Sequence, residues 1–256
     1  GIAAMKDLFS IEGKKAIVTG AARGLGRGMA QGLHDAGAEL ALIDVLDNIH
    51  QVAAEMGASG ARVVALQADL SQRTQLRSAF HAAVDQLGGL DILVNNVGIT
   101  RWSRAEEMSE ADWDIVIEVN LNSLFFMAQL AGQYMLKQGH GKIINIASLL
   151  SFGGGYLTVG YAASKGGVAQ MTKALANEWA SRGVNVNAIA PGYMATEMNK
   201  PLMEDPARNK LIMDRVPAGR WGLPEDLVGA LIFLSSSASD YVHGILLPVD
   251  GGFLAR

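Results

Sequence analysis

A tyrosine and a lysine four positions apart are the residues whose types and spacing most directly suggest chemistry. Tyr161 and Lys165 enclose the sequence YAASK, and positions i and i+4 lie on the same face of a helix. A lysine ammonium group beside a phenol favours the phenolate, so we expect Lys165 to lower the pKa of Tyr161 from its usual value of about 10. Tyr161 is therefore predicted to act as a general acid or base near neutral pH.

A serine and an asparagine upstream of Tyr161 are predicted to complete this group. Ser148 follows the apolar run at 142–146, and the carboxyl end of a strand is where open α/β sheets bind ligands. Its hydroxyl could donate to a carbonyl oxygen while Tyr161 delivers the proton. Asn120 interrupts an apolar helical stripe and must find partners if it is buried. Two roles stay open for it: holding a water in a proton relay to Lys165, and bonding the backbone of a distorted helix.

A glycine-rich turn near the amino end has the composition of a phosphate-binding loop. Residues 19–26 read TGAARGLG, with Gly20, Gly24 and Gly26 between a predicted strand and a predicted helix. Small residues let the backbone approach a pyrophosphate, and the helix N-terminus offers free N–H groups and the positive end of its dipole. The turn therefore predicts that a dinucleotide binds here.

The acidic residue that ends the second predicted strand bears on the choice of dinucleotide. Asp44 lies about 20 residues beyond the glycines, where a carboxylate can bond the adenosine ribose hydroxyls and would repel a 2′-phosphate. This favours NAD over NADP. Arg23, inside the glycine turn, is the opposing feature because it could pair with a 2′-phosphate. An alternative role for Asp44 is to cap the helix that follows it.

The elements that must position these residues follow an alternating pattern. Short apolar runs alternate with longer helical patterns, which implies right-handed βαβ units and a parallel sheet covered on both faces. We therefore predict an α/β fold, a single Rossmann-type, doubly wound parallel sheet of about seven strands with helices on both faces. The predicted strands are 15–19, 39–44, 62–66, 91–94, 142–146, 185–189 and 245–249, and the principal helices are 26–36, 72–87, 109–137 and 161–181.

One domain accounts for the length and composition of the chain, because 50% of its 256 residues are apolar. Residues 5–256 are predicted to form a single NAD(P)-binding domain. Residues 1–4, which precede Met5, are interpreted as a remnant added to the natural chain. Residues 194–216 carry Pro201, Pro206 and several charges in an irregular pattern, and we predict that they form a lid over the substrate.

The composition disfavours several functions. The net charge of −4 gives no basic surface for nucleic acid, and no uninterrupted apolar stretch reaches the roughly 20 residues of a membrane span. The chain has no cysteine, which excludes disulfides and zinc–thiolate sites. Its 5 histidines lack metal-ligand spacing, so no metal site is predicted. We expect a cytoplasmic protein whose partner is a small-molecule substrate.

Taken together, the motifs are similar to those of the short-chain dehydrogenase/reductase family. The family's order and spacing are matched over essentially the whole chain by TGxxxGxG at 19–26, NNVG at 95–98, Asn120, Ser148, YxxxK at 161–165 and Pro-Gly at 191–192. The resemblance implies an NAD(P)-dependent oxidoreductase that interconverts a secondary alcohol and a ketone. It also implies a homotetramer and a catalytic tetrad of Asn120, Ser148, Tyr161 and Lys165.

The resemblance assigns further roles around the cofactor. It implies that Tyr161 transfers the proton, that Ser148 binds the substrate oxygen and that Lys165 holds the nicotinamide ribose. One departure is Val97, where the family has alanine, and this larger side chain could narrow the site without abolishing binding. The residues expected to contact the cofactor are Gly20, Arg23, Gly24, Leu25, Gly26, Asp44, Asp69 and Leu70 (adenine), Asn96 (adenosine ribose), Gly98, Tyr161, Lys165, and Met194 and Thr196 (nicotinamide carboxamide).

Within the family, the carboxyl-terminal half is similar to sugar-acid dehydrogenases, as in NVNAIAPGYMATEMN and PAGRWGLPEDL. This implies a substrate of the gluconate or deoxygluconate type, which needs a cation for its carboxylate. We hypothesise that Arg101 supplies it, with Ser148, Tyr161 and Tyr193 as further substrate residues. The alternative for Arg101 is an ordinary surface charge.

Two other functions stay open at this point. One is a 3-oxoacyl-[acyl-carrier-protein] reductase or another short-chain carbonyl reductase, which Arg23 favours and Asp44 disfavours. The other is a nucleotide-binding protein without catalysis, which the four tetrad residues disfavour.

Overall fold

Seven strands form the sheet of the computed structural model, which describes residues 7–256. In chain order they are β1 (Lys15–Thr19), β2 (Glu39–Asp44), β3 (Val63–Gln67), β4 (Ile92–Asn95), β5 (Gly141–Ile146), β6 (Val184–Pro191) and β7 (Leu246–Val249). Their order across the sheet is β3-β2-β1-β4-β5-β6-β7, and every neighbouring pair is parallel. The predicted fold class is confirmed. The predicted remnant at residues 1–4, and Met5 with it, lies outside the described residues.

Helices cover both faces of this sheet. Alternate side chains of a strand point to opposite faces. Ala16 and Val18 of β1 accordingly belong to the apolar cluster that contains Met29, whereas Ile17 belongs to the cluster that contains Phe80. The helices of the described chain are α1 (Gly24–Asp35), α2 (Ile49–Met56), α3 (Arg73–Leu87), α4 (Glu110–Ile117), α5 (Ser123–Gln138), α6 (Val159–Trp179), α7 (Lys200–Glu204), α8 (Pro206–Met213) and α9 (Val228–Ser235).

The strand order reverses between β1 and β4, and this reversal places the glycine turn. Parallel sheets of this kind bind ligands in the crevice beyond the carboxyl ends of the strands at such a point. Thr19, the last residue of β1, donates from its hydroxyl to the carbonyl of Val94 (3.4 Å) and accepts from the backbone N–H of Asn96 (2.9 Å). The two strand ends that border the crevice are therefore tied together by a buried side chain.

The helix predicted over 109–137 differs from a regular helix in its middle. A π-helical turn, Glu118–Asn122, separates α4 from α5, and Asn120 lies at its centre. Single π turns of this kind are frequent at functional sites. The apolar periodicity of the sequence continues through the turn, which is why it predicts one uninterrupted helix.

The same helical run has the length and composition of a membrane span. Residues Glu110–Gln138 make up 29 residues, and an 18-residue window has a mean hydropathy of 1.4. Half of that window is buried inside the protein, as is usual for the core helix of a globular domain. The run is therefore weak evidence for a membrane segment.

The segment at 194–216, which we call the lid segment, has short helices but little burial. It contains a 3₁₀ turn (Glu197–Asn199), α7 and α8, and none of these three elements has a buried residue. Met194 and Val216, at its two ends, are buried. The segment is thus anchored at both ends and held loosely between them.

Candidate functional site

Tyr161 and Lys165 lie in the first two turns of α6 and face the end of β5. The ammonium nitrogen of Lys165 donates to the backbone carbonyl of Ile146, the last residue of β5, at 2.8 Å. The same nitrogen lies 5.6 Å from the centroid of the Tyr161 ring. Lys165 is only 3% exposed. The helix therefore brings the predicted pair together, with the lysine also tying α6 to the strand that precedes Ser148.

Burial governs the titration of both groups. It lowers the pKa of Lys165 from 10.5 to about 8, because the charged form is held away from water. Burial also raises the pKa of Tyr161, and the hydrogen bond with the Ser148 hydroxyl opposes that rise. The expectation that Lys165 lowers the pKa of Tyr161 is wrong for this structure, since the lysine ammonium is directed to the Ile146 carbonyl and desolvation of the phenol is the larger effect.

Ser148 is held in place by the short 3₁₀ turn that follows it. Its hydroxyl oxygen accepts from the backbone N–H of Leu150 (3.1 Å), and its own N–H donates to the hydroxyl of Ser151 (3.2 Å). The Ser151 hydroxyl in turn donates to the backbone carbonyl of Lys165 (2.7 Å). Because the Ser148 oxygen acts as an acceptor toward Leu150, its single proton can be donated to the Tyr161 oxygen or, when a substrate is bound, to the substrate oxygen.

Asn120 joins three segments of the site. Its side-chain oxygen accepts from the N–H of Ile99 and its amide donates to the carbonyl of Ile99, both at 2.8 Å. The amide also donates to the hydroxyl of Ser164 (3.1 Å), which donates to the carbonyl of Tyr161 (2.7 Å). Asn120 is fully buried. The helix around it is distorted, but its side chain bonds a separate loop and α6, so it works as a brace.

Gly98 marks where these groups converge. A β-carbon built at this position would lie 3.7 Å from the side-chain oxygen of Asn120 and 3.8 Å from the ammonium nitrogen of Lys165. Asn120 of the π turn and Lys165 of α6 therefore converge on the NNVG loop.

The glycine turn has the shape that a pyrophosphate requires. Gly20 and Gly24 adopt φ values of +65° and +58°, which disfavour other residues. A β-carbon at Gly26 would lie 2.0 Å from the carbonyl oxygen of Gly20. Arg23 is the N-cap residue of α1 but makes no side-chain cap hydrogen bond. The first N–H groups of the helix thus have no side-chain acceptor from the N-cap, which suits an anionic ligand.

Asp44 supports this turn from the neighbouring strand. One carboxylate oxygen accepts from the N–H of Ala22 and the other from the N–H of Leu46, both at 3.0 Å. The N-cap residue of α2 is Asn48, so the helix-capping alternative for Asp44 is wrong. Each carboxylate oxygen can accept more than one hydrogen bond, and Asp44 therefore keeps capacity for a ribose hydroxyl.

Other predicted cofactor residues occupy the rim of the same crevice. The amide of Asn96 donates to the carbonyl of Gly20 at 3.3 Å. The carboxylate of Asp69 accepts from the backbone N–H and the hydroxyl of Ser71, and Leu70 is buried in the core. The side chain of Val97 packs against the core cluster on the α3 and α5 face.

Met194 and Thr196 follow the end of β6. The N–H of Thr196 donates to the carbonyl of Met194 (3.0 Å), and the side-chain amide of Asn199 donates to the same carbonyl (2.8 Å). Met194 itself is buried. The backbone at residues 194–196 is therefore held in place by hydrogen bonds within the protein, without help from a ligand.

The predicted substrate residues Arg101 and Tyr193 both have protein partners. Arg101 forms an ion pair with Asp112 at 3.4 Å, and its side chain is 44% exposed. Tyr193 contacts Trp221 edge-on, with ring centroids 5.8 Å apart, and Phe253 at 5.4 Å. The structure therefore leaves the role of Arg101 as a carboxylate anchor open and puts Tyr193 in an aromatic cluster.

The residues that sequence reasoning missed are those that orient the tetrad. Ile99 contributes only backbone groups, and no side-chain pattern could have identified it. Ser151 and Ser164 are small hydroxyl residues within the Ser148 and YxxxK segments. Their positions in the sequence could therefore have marked them as candidates for orienting the tetrad. Their partners, however, become visible only when the loop, the π turn and α6 meet.

Comparison with known proteins supports the interpretation of this geometry. A family model described as enoyl-(acyl carrier protein) reductase matches residues 20–254. Four curated relatives that are 45–51% identical are named 2-dehydro-3-deoxy-D-gluconate 5-dehydrogenase. The one from Escherichia coli (strain K12) is 51% identical over 97% of this chain and 98% of its own length.

Solved structures of relatives have the same fold. A gluconate 5-dehydrogenase from Burkholderia cenocepacia, described in complex with NADP and tartrate, is 39% identical, with a TM-score of 0.94 and 98% of each chain covered. A short-chain type dehydrogenase/reductase from Mycobacterium marinum is 33% identical, with a TM-score of 0.92, and the match covers 98% of this chain and 99% of that one.

Bound cofactor is named for several of these relatives. Three structures that are 50%, 44% and 39% identical to this chain are described with NADP, so the expectation of NAD rather than NADP finds no support among them. Like these relatives, this chain binds a nicotinamide cofactor. The chain belongs to the short-chain dehydrogenase/reductase family, oxidoreductases that act on CH–OH groups with a nicotinamide cofactor.

Proposed function

We propose that this enzyme interconverts a secondary alcohol and a ketone on a sugar acid of the gluconate or deoxygluconate type. The observation that carries the proposal is the assembled site of Ser148, Tyr161 and Lys165 in a chain that is 45–51% identical, over nearly its whole length, to relatives named for such substrates. The named relatives favour this over an acyl-carrier-protein substrate.

The side chains supply the proton chemistry of the proposed reaction. A bound nicotinamide takes up or supplies the hydride. The Ser148 hydroxyl donates to the substrate oxygen, and the Tyr161 hydroxyl gives or takes the proton at that same oxygen. Because burial raises the pKa of Tyr161, the phenol is held protonated and is ready to act as an acid toward a ketone. In the reverse direction the Tyr161 hydroxyl must first give up its proton, which the hydrogen bond with the Ser148 hydroxyl favours.

A panel of substrates tests the proposal directly. Initial rates are measured with gluconate, a deoxygluconate, a polyol without a carboxylate, and an acyl thioester, each with NAD(H) and NADP(H). We expect the sugar acids to have the highest kcat/KM. Higher efficiency with the acyl thioester would refute the proposed substrate class, and no turnover with any of them would refute the family chemistry in this chain.

We further propose that Arg101 binds the substrate carboxylate by exchanging partners. Its ion pair with Asp112 is exposed on both sides, and such pairs contribute only about 0–1 kcal/mol. A substrate carboxylate can therefore replace Asp112 at little cost. Asp112→Asn should lower KM for gluconate and Arg101→Ala should raise it at least tenfold, whereas Arg77→Ala, an exposed arginine on α3, should leave KM unchanged. Unaltered KM in both test variants would exclude the anchor.

We propose NAD as the preferred cofactor on local grounds, although three of the solved relatives are described with NADP. The carboxylate of Asp44 lies beside the glycine turn, and the only basic residue within that turn is Arg23. Asp44→Ala should raise kcat/KM with NADP relative to NAD by roughly 10–150-fold, since removing a hydrogen bond to a charged group costs about 1.5–3 kcal/mol. Arg23→Ala should lower use of NADP alone, and Asp47→Ala serves as the control. A wild-type enzyme that prefers NADP would overturn this proposal.

We propose that residues 5–256 act as one domain with the lid segment over the substrate, as a homotetramer in the cytoplasm. Light scattering coupled to size-exclusion chromatography measures the mass of the assembly against the 27.0 kDa protomer. Four times that mass is the expected result.

A further inference from the structure

The lid segment depends on very few contacts between its anchored ends. Every residue from 197 to 215 is at least partly exposed. Apolar Met198 and Leu211 are 50% and 69% exposed. Segments with so little buried apolar surface open locally at low free energy. Single hydrogen bonds from the rest of the protein should therefore decide where this segment lies.

One such bond reaches α8. The indole N–H of Trp221 donates to the side-chain oxygen of Asn209 at 2.6 Å. Within the described chain, this is the single side-chain hydrogen bond that joins α7 or α8 to a residue outside the lid segment. The bond from Asn199 to the Met194 carbonyl stays within the segment, and the bond from Arg256 reaches the segment only at Asp214, beyond the end of α8.

Trp221 is itself fixed to the strand end that leads into the lid segment. The neighbouring Gly222 accepts at its carbonyl from the N–H of Ala195 (2.7 Å) and donates from its N–H to the carbonyl of Tyr193 (2.9 Å). The Trp221 ring stands at 89° to the ring of Tyr193. The indole of Trp221 is therefore held in a fixed position near Met194, which is one of the residues expected at the nicotinamide.

Residues near the carboxyl terminus pack against the aromatic cluster that Tyr193 and Trp221 form. Phe253 packs against Tyr193, and the guanidinium of Arg215 lies 4.3 Å from the centre of the Phe253 ring. Arg256 donates to the carbonyl of Asp214 at 2.7 Å. These contacts hold residues 214 and 215, which follow α8 directly, against the carboxyl-terminal residues.

We propose that Trp221 and Asn209 form a latch that sets the position of α8, which makes Trp221 a positioning residue for the substrate. The inference rests on the proposed function for its effect on KM, but the latch itself is independent of the substrate. With the bond intact, α8 is held against Trp221, whose neighbour Gly222 is bonded to Tyr193 and Ala195. Without it, α8 samples positions away from Trp221, and the lid segment covers the substrate for less of the time.

Limited trypsin digestion measures the latch without any substrate. Trypsin cleaves after Arg208 and Lys210, both of which are exposed and lie on α8. When closing is fast, cleavage follows the population of the open form. Loss of one neutral hydrogen bond is worth about 1 kcal/mol, which corresponds to an approximately fivefold rise in cleavage rate.

Two single variants and their combination define the expected result. Trp221→Phe retains a ring beside Tyr193 but removes the N–H, and Asn209→Ala removes the acceptor. Each should raise cleavage of the lid about fivefold, and the double variant should do no more, because both remove the same bond. Trp113→Phe, at a partly exposed tryptophan on α4, is the matched control. Wild-type cleavage in both single variants, or additive effects in the double variant, would overturn the latch.

Kinetics then connect the latch to the substrate. KM for the sugar acid should rise in Trp221→Phe, by no more than about fivefold because it follows the fall in the latched population, while the Kd of the nicotinamide cofactor stays unchanged. Faster cleavage with an unchanged KM would refute the positioning role. If cleavage rises but the wild-type enzyme turns over no sugar acid, the proposed function fails and the latch stands.

Discussion

Lys165→Met should change how the stability of the protein depends on pH. Lys165 is 3% exposed, and burial lowers its pKa from 10.5 to about 8. Below pH 8 the lysine is protonated in both the folded and the unfolded chain, so the full penalty of burying the charge is present. A shift of roughly 2.5 units corresponds to about 3 kcal/mol.

The sign of the effect follows from proton binding. Between pH 8 and 10.5 the folded chain releases the Lys165 proton before the unfolded chain does, so the unfolded state binds more protons and wild-type stability rises with pH. Methionine cannot titrate and lacks this rise. The free energy of unfolding of the wild type, minus that of Lys165→Met, should therefore increase by about 2.5 kcal/mol from pH 7 to pH 10.

Urea unfolding at a fixed protein concentration provides the measurement. The variant also leaves the Ile146 carbonyl without its donor, which displaces the difference by a constant amount and does not alter its slope with pH. Lys173→Met, at an exposed lysine on the same helix, controls for loss of a positive charge. A difference curve that is flat between pH 7 and 10, or one that falls, would refute the argument that Lys165 is buried at a cost.

Three further changes test other parts of the site. Tyr161→Phe should reduce kcat by about 10²–10⁴-fold with no change in cofactor Kd measured by titration calorimetry, and retained turnover would remove the tyrosine from proton transfer. Gly26→Ala should weaken cofactor binding by more than tenfold in the same assay, because its methyl would lie 2.0 Å from the Gly20 carbonyl oxygen. Gly229→Ala is the control and should bind the cofactor normally, because a methyl there meets no atom within 4 Å. Asn120→Ala should lower the free energy of unfolding by about 1–3 kcal/mol, since both backbone groups of Ile99 lose their partners, and an unaltered urea midpoint would contradict that role.

The strands and the glycine turn were predictable because their causes are local. Residues 40–44 of β2 are all buried, and burial on both faces requires a nearly continuous apolar run that can be recognised directly. The positive φ angles of Gly20 and Gly24 depend on a residue type that is rare outside turns. Alternation of such segments determines a right-handed parallel topology with few alternatives.

The distortion at Asn120 and the pKa of Tyr161 were not predictable, because both depend on tertiary contacts. The π turn inserts into a helix whose apolar periodicity is intact on both sides, so the pattern alone gives no signal. The phenol of Tyr161 is close to Lys165 in sequence, but the ammonium is directed to Ile146 and burial dominates. Spacing along a helix establishes that two groups are near each other, whereas it does not establish where a flexible lysine points.

The hydrogen-bonding capacity that remains at each polar residue separates braces from ligand-binding groups. Asn120 donates both of its amide hydrogens, to Ile99 and Ser164, and its oxygen accepts from Ile99, so little of its capacity remains for a water relay. Asp44 accepts two hydrogen bonds from backbone N–H groups, out of the roughly four that a carboxylate can accept. It can therefore support the glycine turn and bind a ribose hydroxyl at once. By the same reasoning, Arg101 uses one face of its guanidinium for Asp112, and an exposed pair of this strength leaves it free to bind a substrate carboxylate.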